Sequence, residues 1–163
     1  GKIRFMSNED KAYIAGFLDG DGCIMAQLVY RKDYVYGYQI RTSVVFYQKS
    51  TKKEILSWLK EKLRFGYIRD RNDGMTEYTI VGLKEVREIL QLLYHYLRLK
   101  KILAARIIHL IDECPKKMSP KELIRLSKLV DETAKFTYSK KRTNTSATVI
   151  NFLQNINLFP VET

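Results

Sequence analysis

The sequence predicts an α+β domain in which helices pack on one face of a four-stranded antiparallel sheet, and three observations lead there. Gly22 to Tyr30 reads as an alternating stretch, and apolar and polar residues alternate again through Tyr38 to Phe46, as they do in half-buried strands. Two shorter stretches, Tyr67 to Asp70 and Glu77 to Val81, read as strands joined by a turn at Asn72-Asp73-Gly74. Elsewhere apolar residues recur at helical spacing behind recognisable caps. The chain has 163 residues, 45% of them apolar, and this suits one domain with a sizeable core. No internal repeat or low-complexity linker divides it, so a single domain is read over 1–163.

The elements follow in order. A first helix begins after Ser7, which stands three residues before Asp10 at capping-box spacing. Ile14, Phe17 and Leu18 give it a helical apolar stripe, and Gly20 and Gly22 end it. The two long strands are joined by a hairpin over 31–37. In the second, positions 40, 44 and 46 are apolar while 39, 41 and 43 are polar, which predicts one wet face. Thr51 and Glu54 form a capping box ahead of a helix carrying Ile55, Leu56, Trp58, Leu59 and Leu63. After the second strand pair come helices near 84–96 and 101–113. Ser119-Pro120-Lys121-Glu122 combines an N-cap, a first-turn proline and a capping Glu, and starts a helix reaching about 136. A short helix near 145–154 closes the α-β-β-α-β-β-α-α-α-α order.

Charge and composition narrow the function. Lys and Arg number 29 against 18 acids, a formal net charge of +11. Such a balance is the electrostatic footprint of a nucleic-acid binder. The sequence holds no 18-residue apolar run and no signal-peptide core, so it reads as soluble, intracellular and without a membrane partner. Cys23 and Cys114 lack a CxxC partner, so zinc is not expected and buried free thiols are. His95 and His109 have no companion at metal-ligand spacing and read as structural. Trp58, Tyr94 and Tyr96 read as core. The predicted wet face carries Gln27, Arg31, Gln39, Arg41, Ser43, Arg69 and Arg71 and is short of acids. Arg, Gln and Ser are side chains that hydrogen-bond base edges in a major groove, whereas a merely solvated face usually mixes Glu with Lys.

The most specific segment is Tyr13-Ile14-Ala15-Gly16-Phe17-Leu18-Asp19-Gly20-Asp21-Gly22-Cys23. Gly within a helix costs about 1 kcal/mol relative to Ala, so Gly16 and Gly20 are poor choices for an ordinary surface helix. Small residues four apart let a second backbone approach closely, which predicts a tight helix–helix contact through Ala15, Gly16, Leu18, Asp19 and Gly20. Asp21 follows at the negative end of the helix dipole, where a cation would relieve the repulsion. Its carboxylate, with the Gly20 carbonyl, offers hard oxygen ligands that suit Mg²⁺.

This segment resembles the signature of the LAGLIDADG homing endonucleases, with Ile14 in place of the first Leu. Gln48, Gly66-Tyr67-Ile68-Arg69-Asp70-Arg71, Leu97-Arg98-Leu99-Lys100-Lys101 and Ser139-Lys140-Lys141-Arg142 extend the resemblance to single-motif members over nearly the whole chain. It implies a sequence-specific double-strand DNA endonuclease with no small-molecule substrate. Asp21 and the Gly20 carbonyl are then the metal ligands, with Mg²⁺ or Mn²⁺ supporting cleavage and Ca²⁺ binding without it. Gln48 and Lys100 match the polar residues around the attacking water and the scissile phosphate. Lys52 matches a basic position that is Arg in a relative, and these two cations are not interchangeable at a bidentate site. Gln27, Val29, Arg31, Tyr34, Tyr36, Gln39, Arg41, Ser43, Arg69, Arg71, Glu77 and Thr79 match the DNA-reading strand positions, and Ser139 and Lys140 a DNA-contacting tail.

Plainer readings stand beside these. Asp19 reads as a cap at the helix end rather than as a metal ligand. Lys100 belongs to a basic cluster that could simply touch phosphates, and Gln48 could be a strand-end hydrogen-bonder. One signature supplies one Asp21, and cutting two strands needs two sites, so a homodimer on a pseudo-palindromic site is expected. An intron maturase or a non-catalytic nucleic-acid binder of the same fold is the alternative, and a basic structural protein a weaker one. The compartment stays open between a chloroplast or mitochondrion and the cytoplasm of an archaeon or bacterium.

Overall fold

The computed structural model describes residues 3, 5–137 and 142–160. Ten main elements follow the expected order: α1 (Asn8–Asp21), β1 (Gly22–Tyr30), β2 (Tyr38–Lys49), α2 (Glu54–Leu63), β3 (Tyr67–Asp70), β4 (Met75–Val81), α3 (Leu83–Leu93), α4 (Lys101–Glu113), α5 (Pro120–Ala134) and α6 (Ser146–Asn155). The strands form one antiparallel sheet in the order β1-β2-β4-β3. None of the helices described is long and apolar enough to cross a membrane.

The caps at Ser7 and Ser119 act where the sequence placed them. Ser7 Oγ accepts the Asp10 N–H at the start of α1, and Ser119 Oγ accepts the Glu122 N–H at the start of α5. Thr145 and Thr148 cap α6 reciprocally. One cap fails. Residues Ser50–Lys52 form a 3₁₀ turn and α2 starts only at Glu54, with no side-chain cap. The reason is that β2 stays paired to β4 as far as Lys49, opposite Met75. The chain must then reverse within four residues, and Ser50 bonds to Thr76 Oγ1 and the Gly74 carbonyl instead.

Helices cover one sheet face. Ile24, Val44, Phe46, Tyr78 and Ile80 point into them and are fully buried, together with Ile14, Ala15 and Leu18 of α1. Phe46 stacks on Tyr78 and meets Phe17 edge-on, which ties α1 to the sheet. Trp58, Tyr94 and Tyr96 are half-buried against this core. Gly37, at φ +79°, closes the β1–β2 hairpin, and a Cβ there would lie 2.5 Å from the Phe152 ring. Both cysteines are free and only partly buried.

The other sheet face is open, but less wet than the alternation predicts. Ser43 is 4% and Thr79 7% exposed. β2 and β4 are the inner strands, so Ser43 lies between Met25 and Val81, and Thr79 between Val45 and Tyr67. Short side chains flanked by longer ones become the floor of the face.

Candidate functional site

The end of α1 is fixed by a set of short contacts. α1 runs one residue further than expected, so Asp21 is its last helical residue and Gly22 leaves in extended conformation. A Cβ on Gly22 would stand 2.6 Å from Leu18 Cδ1 and 2.9 Å from the Leu18 carbonyl oxygen, so only glycine lets β1 depart so close to its own helix. The Asp21 side chain is left exposed, as is Gly20.

Asp19 turns inward. Its carboxylate accepts the backbone N–H groups of Arg98 (2.7 Å), Leu99 (3.2 Å) and Lys100 (3.0 Å), just ahead of α4. Three successive N–H groups around one anion form a nest, a strongly held arrangement. Lys100 Nζ in turn donates to the Asp19 backbone carbonyl at 2.7 Å. That carbonyl belongs to the last turn of α1, where helix acceptors lack an internal donor. Asp19 is therefore a cap, though of the segment entering α4 and not of its own helix.

Lys100 is thereby held one residue from Gly20 and two from Asp21. It also faces Cys23, whose thiol burial pushes up while the Lys100 ammonium pulls it down. Gly22 pairs with Phe46, so Gln48 lies two residues beyond that pair, level with the end of α1. Gln48 Oε1 accepts the Lys49 N–H, a strand-end contact. Lys52 is exposed on the 3₁₀ turn behind it. Gly20, Asp21 and Lys100 thus lie at the end of α1, with Gln48 on the adjoining end of β2 and Lys52 on the turn that follows it.

The face of α1 expected to meet a partner needs correction. Ala15 and Leu18 are fully buried in this chain's own core, and the Asp19 carboxylate is spent on the nest. The exposed face is Ala12, Tyr13, Gly16 and Gly20. A Cβ on Gly16 or Gly20 would meet nothing within 4 Å.

On the open sheet face, Gln27, Gln39, Arg41 and Arg69 project into solvent, and Val29 is half-exposed. Arg69 is held by Glu77 through Nη2 (2.7 Å) and Nε (3.1 Å) on one carboxylate oxygen. Arg71 pairs with Asp73 at 2.7 Å and Arg31 with Asp33 at 3.2 Å, while the Arg31 guanidinium also lies over the Tyr34 ring. Tyr36 packs against the core. As corrections, Ser43 and Thr79 are floor positions and do not project. Ser139 and Lys140 lie outside the described residues.

Two features escaped the sequence reading. Tyr47 shares the open face with Arg41, and its hydroxyl is pushed up by burial first, then by Cys23 and Glu77, with Arg71 opposing. Simple alternation from Arg41 would have found it. The second is the start of the C-terminal helix. Asp131 accepts from Arg142 Nη1 (2.7 Å) and from the Ser146 N–H, and Asn144 Nδ2 donates to the Leu28 carbonyl (3.0 Å). These contacts close a cleft of about 1060 Å³ lined by Asp19, Cys23, Gln27, Tyr47, Lys100 and Arg142, among others. No local pattern reports the Asn144–Leu28 contact, whose partners are 116 residues apart.

Among the described residues no group of three His, Cys, Asp or Glu side chains could hold a metal ion. One chain offers a hard cation one exposed carboxylate and adjacent carbonyls. These oxygens fit Mg²⁺ chemically, and the remaining ligands must come from outside the chain.

These features define an α+β chain with an acidic corner at one end of a cationic sheet. Comparison supplies the family. The model of the LAGLIDADG endonuclease family matches residues 14–109. The chain is 39% identical over 132 residues to the DNA endonuclease I-CvuI of Chlorella vulgaris, covering 81% of this chain and 82% of that one. It is 32% identical over 145 residues to the DNA endonuclease I-CreI of Chlamydomonas reinhardtii, covering 88% of each. The crystal structure of I-CvuI with its target in the presence of 2 mM Ca matches with a TM-score of 0.89 at 36% identity, over 94% of this chain and 97% of that one. I-CvuI has also been crystallised on the I-CreI target with 2 mM Mg, with the DNA not cleaved. The chain belongs to the LAGLIDADG endonuclease family.

Proposed function

We propose that this protein is a sequence-specific endonuclease that cuts double-stranded DNA with a divalent metal ion, as a homodimer. The observation that carries the reading is the exposed Asp21 carboxylate two residues past the Asp19 carbonyl that holds Lys100, at the end of an open cationic sheet face. Its relatives I-CvuI and I-CreI are DNA endonucleases, and I-CvuI is seen on DNA with Ca or Mg.

The chain's own residues take distinct parts. Asp21 and the Gly20 carbonyl hold the metal, for which Mg²⁺ or Mn²⁺ is the productive choice and Ca²⁺ an inert one. Held there, a divalent metal would supply Lewis acidity for water activation and for charge stabilisation in phosphodiester hydrolysis. Lys100 offsets charge growing on the scissile phosphate. Gln48 orients water at the same corner, and Lys52 supplies a further positive charge. Gln27, Gln39, Arg41 and Arg69 read base edges, and the remaining cations contact phosphates. Two chains joined through the Gly16–Gly20 face bring two Asp21 residues together, one for each strand.

The test is selection from a randomised duplex library incubated with the protein and Mg²⁺. Double-strand cuts at one pseudo-palindromic sequence are expected, with Ca²⁺ giving binding alone. RNA binding with no cut at any duplex supports the maturase alternative and overturns this reading. Affinity for the selected duplex should fall steeply with salt, since +11 per chain doubles in a dimer.

A further inference from the structure

The nest around Asp19 does more than close the fold. Its carboxylate gathers three consecutive N–H groups from a segment some eighty residues away in sequence, and the third belongs to Lys100. The ammonium of the same lysine returns to the carbonyl of the same aspartate. Backbone and side chain of Lys100 are thus both tied to one residue, which directly precedes the Gly20-Asp21 pair. Leu97 and Leu103 anchor the two ends of this stretch in the core at 2% and 4% exposed, but Leu99 between them is 81% exposed, and the 98–100 amides turn to the Asp19 carboxylate. Between those anchors the aspartate orients the backbone and the Lys100 ammonium.

We propose that Asp19 is a positioning residue for the cutting reaction and acts through Lys100, keeping its ammonium in fixed relation to Asp21. This rests on the endonuclease reading above. A carboxylate is needed because it presents acceptors only. In Asp19→Asn one oxygen becomes an NH₂ group, a donor facing donors, and the nest loses its charge as well. Lys100 then keeps its charge but loses its place, and misplacement of a catalytic group by about 1 Å costs up to about a hundredfold in rate.

The experiment compares wild type, Asp19→Asn, Lys100→Met and the double variant. The probe is the duplex selected from the library, read by single-turnover cleavage with Mg²⁺ and by binding with Ca²⁺. Asp19→Asn is expected to slow cleavage about 10- to 100-fold, with duplex affinity kept within about threefold. In the Lys100→Met background the same change is expected to slow cleavage no further. Equal losses in both backgrounds, or a loss carried wholly by affinity, overturn the proposal. Amide hydrogen exchange reads the nest without any cleavage. The 98–100 amides should exchange at least about tenfold faster in Asp19→Asn, while core amides of β2 stay unchanged. Unchanged exchange at 98–100 overturns the proposal even if wild type cuts DNA. Failure of wild type to cut any duplex, with the exchange result as expected, instead removes the endonuclease reading on which it rests.

Discussion

The acidic corner and the open sheet face lie on the same sheet but are held by different means. At the corner, Asp19 and Lys100 bond to backbone atoms, and Gly22 exists to let two backbones nearly touch. On the face, Arg69–Glu77, Arg71–Asp73 and Arg31–Asp33 are side-chain pairs, each with an arginine that is well exposed. Backbone partners cannot be exchanged by mutation, whereas exposed pairs re-form with new neighbours at little cost in stability. Under the proposed function, this difference would separate chemistry from specificity. On the proposed reading, a fold built this way changes what it reads without disturbing how it cuts.

The largest effect should come from the corner. Asp21→Asn removes the one exposed carboxylate there and is expected to lower single-turnover cleavage by about a thousandfold or more. Binding to the selected duplex with Ca²⁺ should fall far less. Cleavage within tenfold of wild type would remove Asp21 from the chemistry and dissolve the contrast between the two regions.

Next is the helix face that joins two corners. A side chain at Gly16 meets nothing within this chain, so Gly16→Leu should leave the monomer folded and its circular dichroism unchanged. It should nonetheless prevent association, which sedimentation at micromolar concentration would show as a single chain mass. A stable dimer of Gly16→Leu would place the interface elsewhere.

The face should respond more mildly and in a different currency. Arg69→Ala is expected to relax preference at about one base pair per half-site, by about 1–3 kcal/mol, with the cleavage rate on the best site preserved. Profiling cut sites from a library measures it. Uniform weakening across all sequences would make Arg69 a phosphate contact.

The same division governs what could be read from the sequence. Element order, the Ser7 and Ser119 caps and the core positions of α1 follow from local spacing, because each depends on residues a few places apart. Asp21 was legible from its place at the helix end, whereas Lys100 was reached through a resemblance, since nothing in the spacing joins positions 21 and 100. The role of Asp19 was half legible: a cap was expected, but its partners lie in a turn that only the packing of α1 against 94–100 brings near. Thr51 misled for the opposite reason, because a locally sound capping box lost to the demands of β2–β4 pairing. Ser43 and Thr79 misled because alternation reports which face a residue is on, not how tall its neighbours are.

The smallest effect tests the rim, where the face meets the loop before α2. The Asp70 carboxyl is held below its ordinary range, first by the Thr76 hydroxyl at 2.8 Å, then by the Lys53 ammonium at 3.3 Å. A depressed folded value means stabilisation that is present above the unfolded carboxylate range and lost as pH falls through the folded one. Thr76 is fully buried and its hydroxyl is also shared with Ser50, whereas Lys53 is half-exposed and screened by salt. Titration of the Asp70 carboxyl carbon by NMR should therefore move upward more in Thr76→Val than in Lys53→Met, and only the second difference should shrink in high salt. The reverse order would mean that even this rim is organised by exposed charge, like the rest of the face, and that backbone-anchored or buried partners stop at the corner.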